Sequence, residues 1–456
     1  RLFTARPPLG LFPGPSVNGA RSRIILYLAV ILSPLLVVAA FHLKTDDVFY
    51  YNLGRGFALL AFTILVVQVV LAARLHWVEA PFGLNLTFPF HRRMGTVAAL
   101  LLILHPPLMA LGGGGWHLLY GLDVKWYIII AKVALLLLLI HVGLSLWRAR
   151  LGIRYENWRL LHDILAPLVL VLVFLHSWNA GDDLKVRPLQ VLWLVFLGGA
   201  LLLFGYHRLL RPLLLRRHLY RVQEVHEECP GVWTIKFAPP PGERRFDFLP
   251  GQFQFVTLFR GRGLPVEEHH FTISSSPSEP GYHASTIKES GDFTTAIGQT
   301  RAGDTAAIHA PFGRFSYVLY PQSRDLVFIA GGIGITPLMS NLHHMRDTQA
   351  ERRVLLLYSN KTESGIVFRE ELSRMEEDGE SRPELQVVHV LSRPEEAWPG
   401  EKGHLDREKL ARLCGERLGM ASFFLCCPPP FIHSLVANLR DLAVPDSRIH
   451  FEYFSL

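Results

Sequence analysis

Six long apolar runs in the first half of the chain constrain its fold more than any other feature. Each has about the 20 residues that an α-helix needs to cross the hydrocarbon core of a bilayer. Soluble domains rarely carry several uninterrupted runs of this length, so the first half is predicted to lie in a membrane. We expect six helices near residues 23–43, 56–75, 93–111, 126–147, 160–178 and 189–207.

The basic residues indicate how these helices are oriented. If successive loops alternate between the two sides of the membrane, one side carries 15 Lys and Arg residues and the other carries 5. Cytoplasmic loops hold the excess of positive charge, so the N-terminus and everything after residue 207 are expected in the cytoplasm. The net charge of +7 is therefore attributed to membrane topology rather than to nucleic-acid binding. The chain starts at Arg1, which is typical of an incomplete or processed N-terminus.

Two histidine pairs with one spacing lie in the third and fifth apolar runs. His91 and His105 are fourteen residues apart, and so are His162 and His176. In an α-helix this spacing comes to about 1400°, close to four whole turns, so each pair shares one helix face about 21 Å apart. Ionisable side chains at membrane depth are costly and usually functional, so these histidines are candidate ligands.

The third and fifth helices run in the same direction, so His91 is expected level with His162 and His105 level with His176. Each level then offers two neutral imidazoles across a gap, as bis-histidine ligation of haem requires. Zinc or copper would be poorly supplied with ligands, because no carboxylate or thiol accompanies these histidines. We therefore predict two b-type haems, one near each leaflet, with these four histidines as metal ligands.

The other polar groups of the membrane half have ordinary explanations. Lys132 is explained equally well by snorkelling to the interface and by a contact with a haem propionate. Arg92 and Arg93 have a sufficient role in topology and are also placed to pair with propionates. Four histidines lack a partner at matching spacing and are interpreted as interface or interior residues: His42, His76, His117 and His141.

From about residue 218 short alternating strands, such as WTIKFA and FQFVTLF, follow one another between prolines and glycines. The stretch EEHHFTISSSP, 267–277, can set an aromatic ring against a flavin and offer hydroxyl and N–H groups to phosphate. The stretch IKESGDFTTAI, 287–297, places Gly291 and Thr294 at an expected helix start, which is a suitable place for an anion. An antiparallel β-domain that binds a flavin is the prediction.

After residue 325 the pattern changes to strand, glycine-rich turn and helix, in DLVFIAGGIGITPLMSNLHHM. Gly331, Gly332 and Gly334 allow the backbone to approach a ligand closely. Thr336 and Pro337 open a helix whose N-terminus can hold a pyrophosphate, although the spacing is not the GxGxxG of the usual Rossmann fingerprint. Further strands alternate with helical stretches and predict a small parallel α/β domain: 354–360, 385–392 and 421–427.

In combination, the motifs HxFTISS, GGIGITP, a Cys–x–Pro strand end and a C-terminal ExF resemble the ferredoxin–NADP reductase family of flavoproteins. With the six helices and paired histidines, the chain is most similar to a bacterial single-chain member of the ferric reductase and NADPH oxidase superfamily. This resemblance implies a multi-domain membrane protein in which a six-helix haem-binding bundle precedes an antiparallel β-barrel FAD domain and a parallel α/β nucleotide-binding domain. The expected bounds are 1–22 for a cytoplasmic segment, then 23–212, 218–320 and 325–456 for the three domains.

The resemblance also implies roles for individual residues. FAD is expected to contact His269, Phe271, Thr272, Ser275, Lys288, Gly291 and Thr294. The nicotinamide dinucleotide is expected to contact Gly331, Gly332, Gly334, Thr336, Pro337, Ser392 and Arg393. Cys426 and Phe454 are expected at the reacting rings, with Phe454 covering the flavin until nicotinamide displaces it. Three features depart from the family pattern: His269 replaces an arginine, Cys427 replaces a glycine, and two further residues follow Phe454.

The expected activity is electron transfer from cytoplasmic NAD(P)H through FAD and two haems to an acceptor outside. The outer loop 112–125 is short and glycine-rich, which favours oxygen, with a ferric chelate or an extracytoplasmic partner protein as alternatives. Lys361 and Ser392–Arg393 favour NADPH over NADH. A transporter is disfavoured because neither internal repeats nor broken helices are found. The expected location is a bacterial inner membrane, with both termini cytoplasmic.

Overall fold

A computed structural model of the chain describes residues 17–41, 49–180, 183–261, 263–378 and 382–453. Three predicted features lie wholly or mostly outside these residues, namely the N-terminal segment 1–22, His42 and Phe454. The chain divides into two compact units, and the boundary falls between Arg211 and Pro212. Each unit is described by itself below.

Six long helices dominate the described part of the first unit, and all are long and apolar enough to cross a membrane. The prediction of six membrane helices is confirmed. Several helices begin five to nine residues earlier than predicted, because they continue through polar interface residues that an apolar run leaves out. The helices are α1 (Val17–Ala40), α2 (Phe49–Ala72), α3 (Leu84–Met109), α4 (Trp126–Trp147), α5 (Tyr155–Ala180) and α6 (Arg187–Gly205).

The interior of the helical bundle is aromatic where α2, α5 and α6 meet. Trp193 is fully buried and stacks on Phe62 with 4.8 Å between ring centroids. Its indole Nε1 donates a hydrogen bond to Ser177 Oγ at 3.0 Å, so the polar edge of the ring is satisfied away from water. Leucines on the outer faces stay exposed, such as Leu202 at 77%, as helices surrounded by lipid require. Short helices cover His76–Glu79 and His117–Tyr120.

The second unit begins with an antiparallel sheet in the strand order β4-β3-β6-β1-β2-β5. Alternate residues such as Val256 and Leu258 point into an apolar core that also contains Ile235 and Phe237. The predicted antiparallel domain is therefore confirmed. Its strands are β1 (Tyr220–Cys229), β2 (Val232–Ala238), β3 (Phe253–Phe259), β4 (Glu268–Thr272), β5 (His283–Lys288) and β6 (Thr305–Phe312).

A parallel sheet in the order β10-β9-β8-β7-β11-β12 follows in the same unit. Both of its faces are covered by apolar clusters, so the central strand β7 is buried along nearly its whole length. The predicted parallel α/β domain is confirmed. Its elements are β7 (Asp325–Gly331), α7 (Ile335–Asp347), β8 (Arg353–Asn360), α8 (Arg369–Glu377), β9 (Glu384–Leu391), β10 (Glu401–Lys402), α9 (Arg407–Cys414), β11 (Ser422–Cys426), α10 (Pro429–Asp441) and β12 (Ile449–Glu452).

Candidate functional site

His105 on α3 and His176 on α5 face each other with 6.4 Å between their ring centroids. His105 Nδ1 lies 2.9 Å from the carbonyl oxygen of Gly54, and His176 Nδ1 lies 2.9 Å from that of Tyr127. A carbonyl oxygen only accepts, so Nδ1 carries the proton in both rings and Nε2 keeps its lone pair. Both rings therefore hold the tautomer that a metal ligand needs.

His91 and His162 form the second pair on the same two helices, with 6.2 Å between ring centroids. His162 is also packed against two other rings, those of His141 at 4.3 Å and Trp158 at 5.1 Å. His141, which has no partner at matching spacing, thus contacts His162 across the bundle. Spacing along one helix was the only criterion in the sequence, and His141 lies on a different helix, α4.

The two separations test whether these histidines fit a haem. Two metal–imidazole bonds of about 2 Å and the radii of the two rings come to about 6.3 Å between ring centroids. The observed 6.2 Å and 6.4 Å agree with that value, so each pair fits axial ligation of one iron. Within the described residues no group of three or more His, Cys, Asp or Glu side chains is placed to hold a metal ion. Ligation by two protein side chains at each level is thus the arrangement that the bundle offers.

The basic residues considered as propionate partners differ in their surroundings. Lys132 Nζ donates to the carbonyl oxygen of Gly121, so its ammonium is held by the loop that precedes α4. Arg92 and Arg93 are exposed. The hydrogen bond of Lys132 favours the snorkelling interpretation, in which the charge reaches out of the apolar core.

Two ion pairs of the bundle were missed by the sequence analysis. Asp163, next to His162, accepts from Arg208 at 2.6 Å. Arg55 pairs with Asp183 at 2.9 Å and follows Gly54, the residue whose carbonyl accepts from His105. A lone acidic residue inside an apolar run was the available signal for Asp163, since a carboxylate at that depth needs a partner.

In the second unit the HxFTISS stretch forms β4 and the loop after it. His269 and Phe271 lie on one face of β4, with 6.3 Å between their ring centroids. His269 stacks on Phe293 at 4.1 Å, and its Nε2 lies 3.0 Å from Glu267 Oε2. Phe271 is only half-buried, so part of its ring is open to solvent.

Thr272 and Ser275, which are predicted to contact FAD, are both buried. Thr272 is 8% exposed and Ser275 7%. The Ser275 hydroxyl accepts a hydrogen bond from the Ala284 N–H at 2.9 Å, and the Ser275 carbonyl accepts from Ser340 Oγ at 2.7 Å. The hydroxyl therefore holds the loop in place, which is a structural role whether or not it also reaches a ligand.

A helix does start at Thr294, where a helix start was expected, but it is a short 3-10 helix, Thr294–Gln299. Thr294 Oγ1 accepts from the Ser290 N–H at 2.8 Å, and Thr295 Oγ1 donates to the Gly291 carbonyl at 2.7 Å. Threonine hydroxyls that bond nearby backbone compete with helix formation. Gly291 itself has a φ of 116°, which favours glycine. Lys288 is exposed at the end of β5.

The glycine-rich turn lies where sequence reasoning placed it, between β7 and α7. Gly332 has a φ of 56°, and a Cβ on Gly334 would lie 1.8 Å from the Cys426 carbonyl oxygen. Thr336 Oγ1 donates to the Ile333 carbonyl at 3.0 Å, and Pro337 follows in the first turn of α7. The turn and the start of a 13-residue helix present backbone N–H groups to an anion.

The residues expected near the adenosine 2′-position are joined through their backbones. The Ser392 N–H donates to Asn360 O at 3.0 Å, and the Arg393 N–H donates to Lys361 O at 2.8 Å. Lys361 and Arg393 are both exposed at the carboxyl ends of β8 and β9. Ligands of open α/β sheets bind at this edge.

Cys426 and Cys427, at the end of β11, have different surroundings. Cys426 is 1% exposed, and its Sγ lies 3.7 Å from the Glu452 carbonyl oxygen. Burial raises the pKa of the Cys426 thiol well above its ordinary value, and Glu452 adds to the shift, so the thiol is neutral. Cys427 Sγ lies 3.6 Å from the Ile329 carbonyl oxygen inside the apolar core. The replacement of glycine by Cys427 is thus accommodated in the core.

Two protein families match separate parts of the chain. Residues 57–173 match the ferric reductase like transmembrane component, and residues 328–436 match the oxidoreductase NAD-binding domain. The chain therefore contains one segment similar to a membrane reductase component and one similar to an oxidoreductase nucleotide-binding domain. In this order on one chain, the two matches support a fusion of the ferric reductase and NADPH oxidase type, with a ferredoxin–NADP reductase-like module that supports binding of FAD and NAD(P)H.

Reductases and flavohemoproteins are similar to part of the chain. The glycine betaine monooxygenase reductase subunit of Pseudomonas aeruginosa is 32% identical over 52% of this chain and 64% of its own length. Flavohemoprotein B of Dictyostelium discoideum is 25% identical over 51% of this chain and 58% of its own length. The chain thus spans less than two thirds of either relative. The match to the solved structure of the FAD/NAD-binding domain of nitric oxide dioxygenase from Vibrio cholerae covers 52% of this chain and 98% of that domain. The identity is 22% and the TM-score is 0.46.

Proposed function

We propose that the protein moves electrons from cytoplasmic NAD(P)H through FAD and two b-type haems to an acceptor on the other side of the membrane. When bound, FAD supplies two-electron hydride chemistry and haem iron supplies one-electron transfer. The observation that carries the proposal is the pair of imidazole separations, 6.2 Å and 6.4 Å, on the same two helices. Electron transfer needs no general acid, base or nucleophile, so positioning by the chain is its main contribution.

Within the bundle, each histidine pair would hold one haem. The carbonyls of Gly54 and Tyr127 orient His105 and His176, because each accepts the Nδ1–H and leaves Nε2 for the metal. The excess of basic residues in the loops next to His91 and His162 favours a cytoplasmic location for that level, with both chain termini in the cytoplasm. A bacterial inner membrane is the proposed location.

In the second unit, the half-buried ring of Phe271 would lie against the flavin, with Cys426 and Phe454 near the reacting rings. The turn at Gly331, Gly332 and Gly334 and the start of α7 would hold the dinucleotide phosphates. Remaining contacts of the dinucleotide are assigned to Thr336, Pro337, Ser392 and Arg393. Those of FAD are assigned to His269, Thr272, Ser275, Lys288, Gly291 and Thr294.

NADPH is favoured over NADH by the two cations at the sheet edge. Lys361 and Arg393 are exposed and are held side by side by the 2.8 Å backbone hydrogen bond between them. Two adjacent cations suit a 2′-phosphate, which carries two negative charges that NADH lacks.

Oxygen is the favoured acceptor. The loop between α3 and α4 exposes apolar and aromatic side chains, with Trp116 at 51%, Tyr120 at 76% and Leu122 at 79%. A ferric chelate is usually charged and needs charged partners, whereas oxygen needs none. The formation of superoxide, measured beside the reduction of ferric citrate, discriminates between these acceptors.

The visible spectrum of the detergent-purified full-length chain tests the proposal. We expect a bis-histidine b-type haem spectrum that NADPH reduces in the absence of oxygen. His105→Leu and His176→Leu should each lose haem, while His117→Leu, which changes an exposed histidine of the loop, should retain it. A flavin spectrum without haem would contradict the proposal.

A further inference from the structure

The His162 ring lies between two other rings of the bundle. The centroid of His141 on α4 is 4.3 Å away at an interplanar angle of 38°, and that of Trp158 on α5 is 5.1 Å away at 42°. Rings at these separations are in van der Waals contact, so a rotation of His162 displaces both neighbours.

His141 is too close to His162 to be its trans partner on one metal. Two imidazoles on opposite sides of one metal need about 6.3 Å between ring centroids, and among the described histidines His91 lies at that distance from His162, 6.2 Å. His141 Nδ1 and His162 Nδ1 are both buried without a hydrogen-bond partner among the described residues. The contact between His141 and His162 is therefore one of ring packing.

Ser145 links the backbone of His141 to the ring of Trp158 by two hydrogen bonds. Ser145 Oγ donates to the His141 carbonyl at 2.8 Å and accepts from Trp158 Nε1 at 3.2 Å. The guanidinium of Arg148 lies 5.7 Å from the Trp158 ring centroid, over its face. One serine thus connects α4 to α5 beside the ligand and holds the Trp158 ring against α4.

His162 is consequently held by different means from the two ligands of the other pair. His105 and His176 are oriented by carbonyls that accept the Nδ1–H, whereas His162 makes no such bond and is held by rings. A hydrogen bond from the Nδ1–H raises the basicity of a ligating imidazole and fixes its orientation. Ring packing fixes the orientation alone.

We propose that His141 is a positioning residue that, together with Trp158, sets the ring orientation of the haem ligand His162. The inference rests on the proposed haem ligation. It follows that the two haems are distinguishable, because ligand orientation and hydrogen bonding both tune a haem site. A substitution of His141 should alter one haem and leave the other unchanged.

The test compares His141→Leu with His141→Phe in the full-length protein, with His117→Leu as the control for loss of an exposed histidine. The measurements are bound haem per chain, the low-spin ferric electron paramagnetic resonance signals and the midpoint potentials. We expect His141→Leu to shift the signal and potential of one haem and to lower haem content towards one per chain. His141→Phe keeps a ring against His162 and should retain both haems.

The outcomes distinguish a failure of this inference from a failure of the proposed function. Two haems in the wild type with unchanged signals and potentials in His141→Leu would overturn the inference and leave the proposed function intact. A wild type without haem would overturn both. Equal shifts of both haems in His141→Leu would also overturn the inference, because a general loosening of the bundle has no preference for one level.

Discussion

At the scale of single residues, the turn after β7 depends on the absence of one methyl group. Gly334→Ala would place Cβ 1.8 Å from the Cys426 carbonyl oxygen, so backbone must move. We expect a loss of stability of about 1–3 kcal/mol or more, as for other overpacked sites, and a raised KM for NADPH. Thermal unfolding and steady-state kinetics measure the two effects.

Gly419→Ala is the matched control, because nothing lies within 4 Å of a Cβ at that glycine. It should leave both quantities unchanged. An unchanged melting temperature in Gly334→Ala would show that the turn relaxes at little cost. The close approach of Gly334 to the Cys426 carbonyl would then not be required for function.

Another single residue, His450 on β12, should make the second unit sensitive to acid. Its ring stacks on Tyr320 at 3.8 Å, and burial lowers its pKa from 6.5 to about 4. The unfolded chain binds the proton more readily than the folded chain. The contribution of neutral His450 to the free energy of unfolding is therefore complete above pH 6.5 and is lost as the pH falls towards 4. The loss at pH 4 is up to about 3 kcal/mol. His450→Phe keeps the stacking and should reduce this dependence.

Melting temperatures of the full-length protein at pH 7 and pH 5 measure this effect. His433→Phe makes the same change at an exposed histidine of α10 and should behave as the wild type. If His450→Phe keeps the full acid dependence of the wild type, the destabilisation comes from other groups.

At the scale of elements, α7 connects the two sheets of the second unit. His343 Nδ1 lies 3.0 Å from the Ser274 carbonyl oxygen, and its Nε2 lies 2.8 Å from Glu371 Oε1 on α8. Burial by itself raises the pKa of Glu371, but the hydrogen bond of His343 and the charge of Arg346 lower it below its ordinary value. The carboxylate thus stays ionised. The contact ties the loop after β4, where flavin contacts are predicted, to the helix that follows the glycine-rich turn.

His343→Ala should therefore cost about 1–3 kcal/mol, because it leaves the buried Ser274 carbonyl without its partner and removes one of the two partners of the Glu371 carboxylate. It should also slow the reduction of flavin by NADPH, which stopped-flow absorbance measures. The exposed His404→Ala is the control. A full rate of flavin reduction in a destabilised His343→Ala protein would limit this residue to a structural role.

The elements also show which features a sequence can reveal. Apolar runs and a repeated spacing are properties of one helix at a time, so α1 to α6 and the pairing of His91 with His162 were predicted correctly. The contact of His141 with His162 was not predicted, because it joins α4 to α5 and no pattern along α4 encodes that neighbour. The helix start at Thr294 was predicted but its 3-10 type was not, because that type depends on threonine hydroxyls that bond to local backbone.

At the scale of the whole molecule, the two compact units divide at Arg211 and Pro212, and each has its own core. The predicted haem ligands belong to the first unit, and the predicted flavin and nucleotide contacts belong to the second. Each half of the electron path is therefore expected to depend on its own unit, so the two halves should fail separately when single residues are changed.

His176→Leu tests this separation because it removes one predicted ligand from the first unit and leaves the second unit unaltered. NADPH oxidation with ferricyanide, which takes electrons directly from reduced flavin, should stay within about twofold of the wild-type rate. Electron transfer to an acceptor enclosed on the opposite side of a proteoliposome should fall by more than about 100-fold. Replacing residues that only support the metal ligands already costs about 10- to 100-fold in activity or metal affinity, and His176 is a predicted ligand itself. A parallel loss of both rates would mean that the units depend on each other for folding, and retention of both would mean that His176 lies off the electron path.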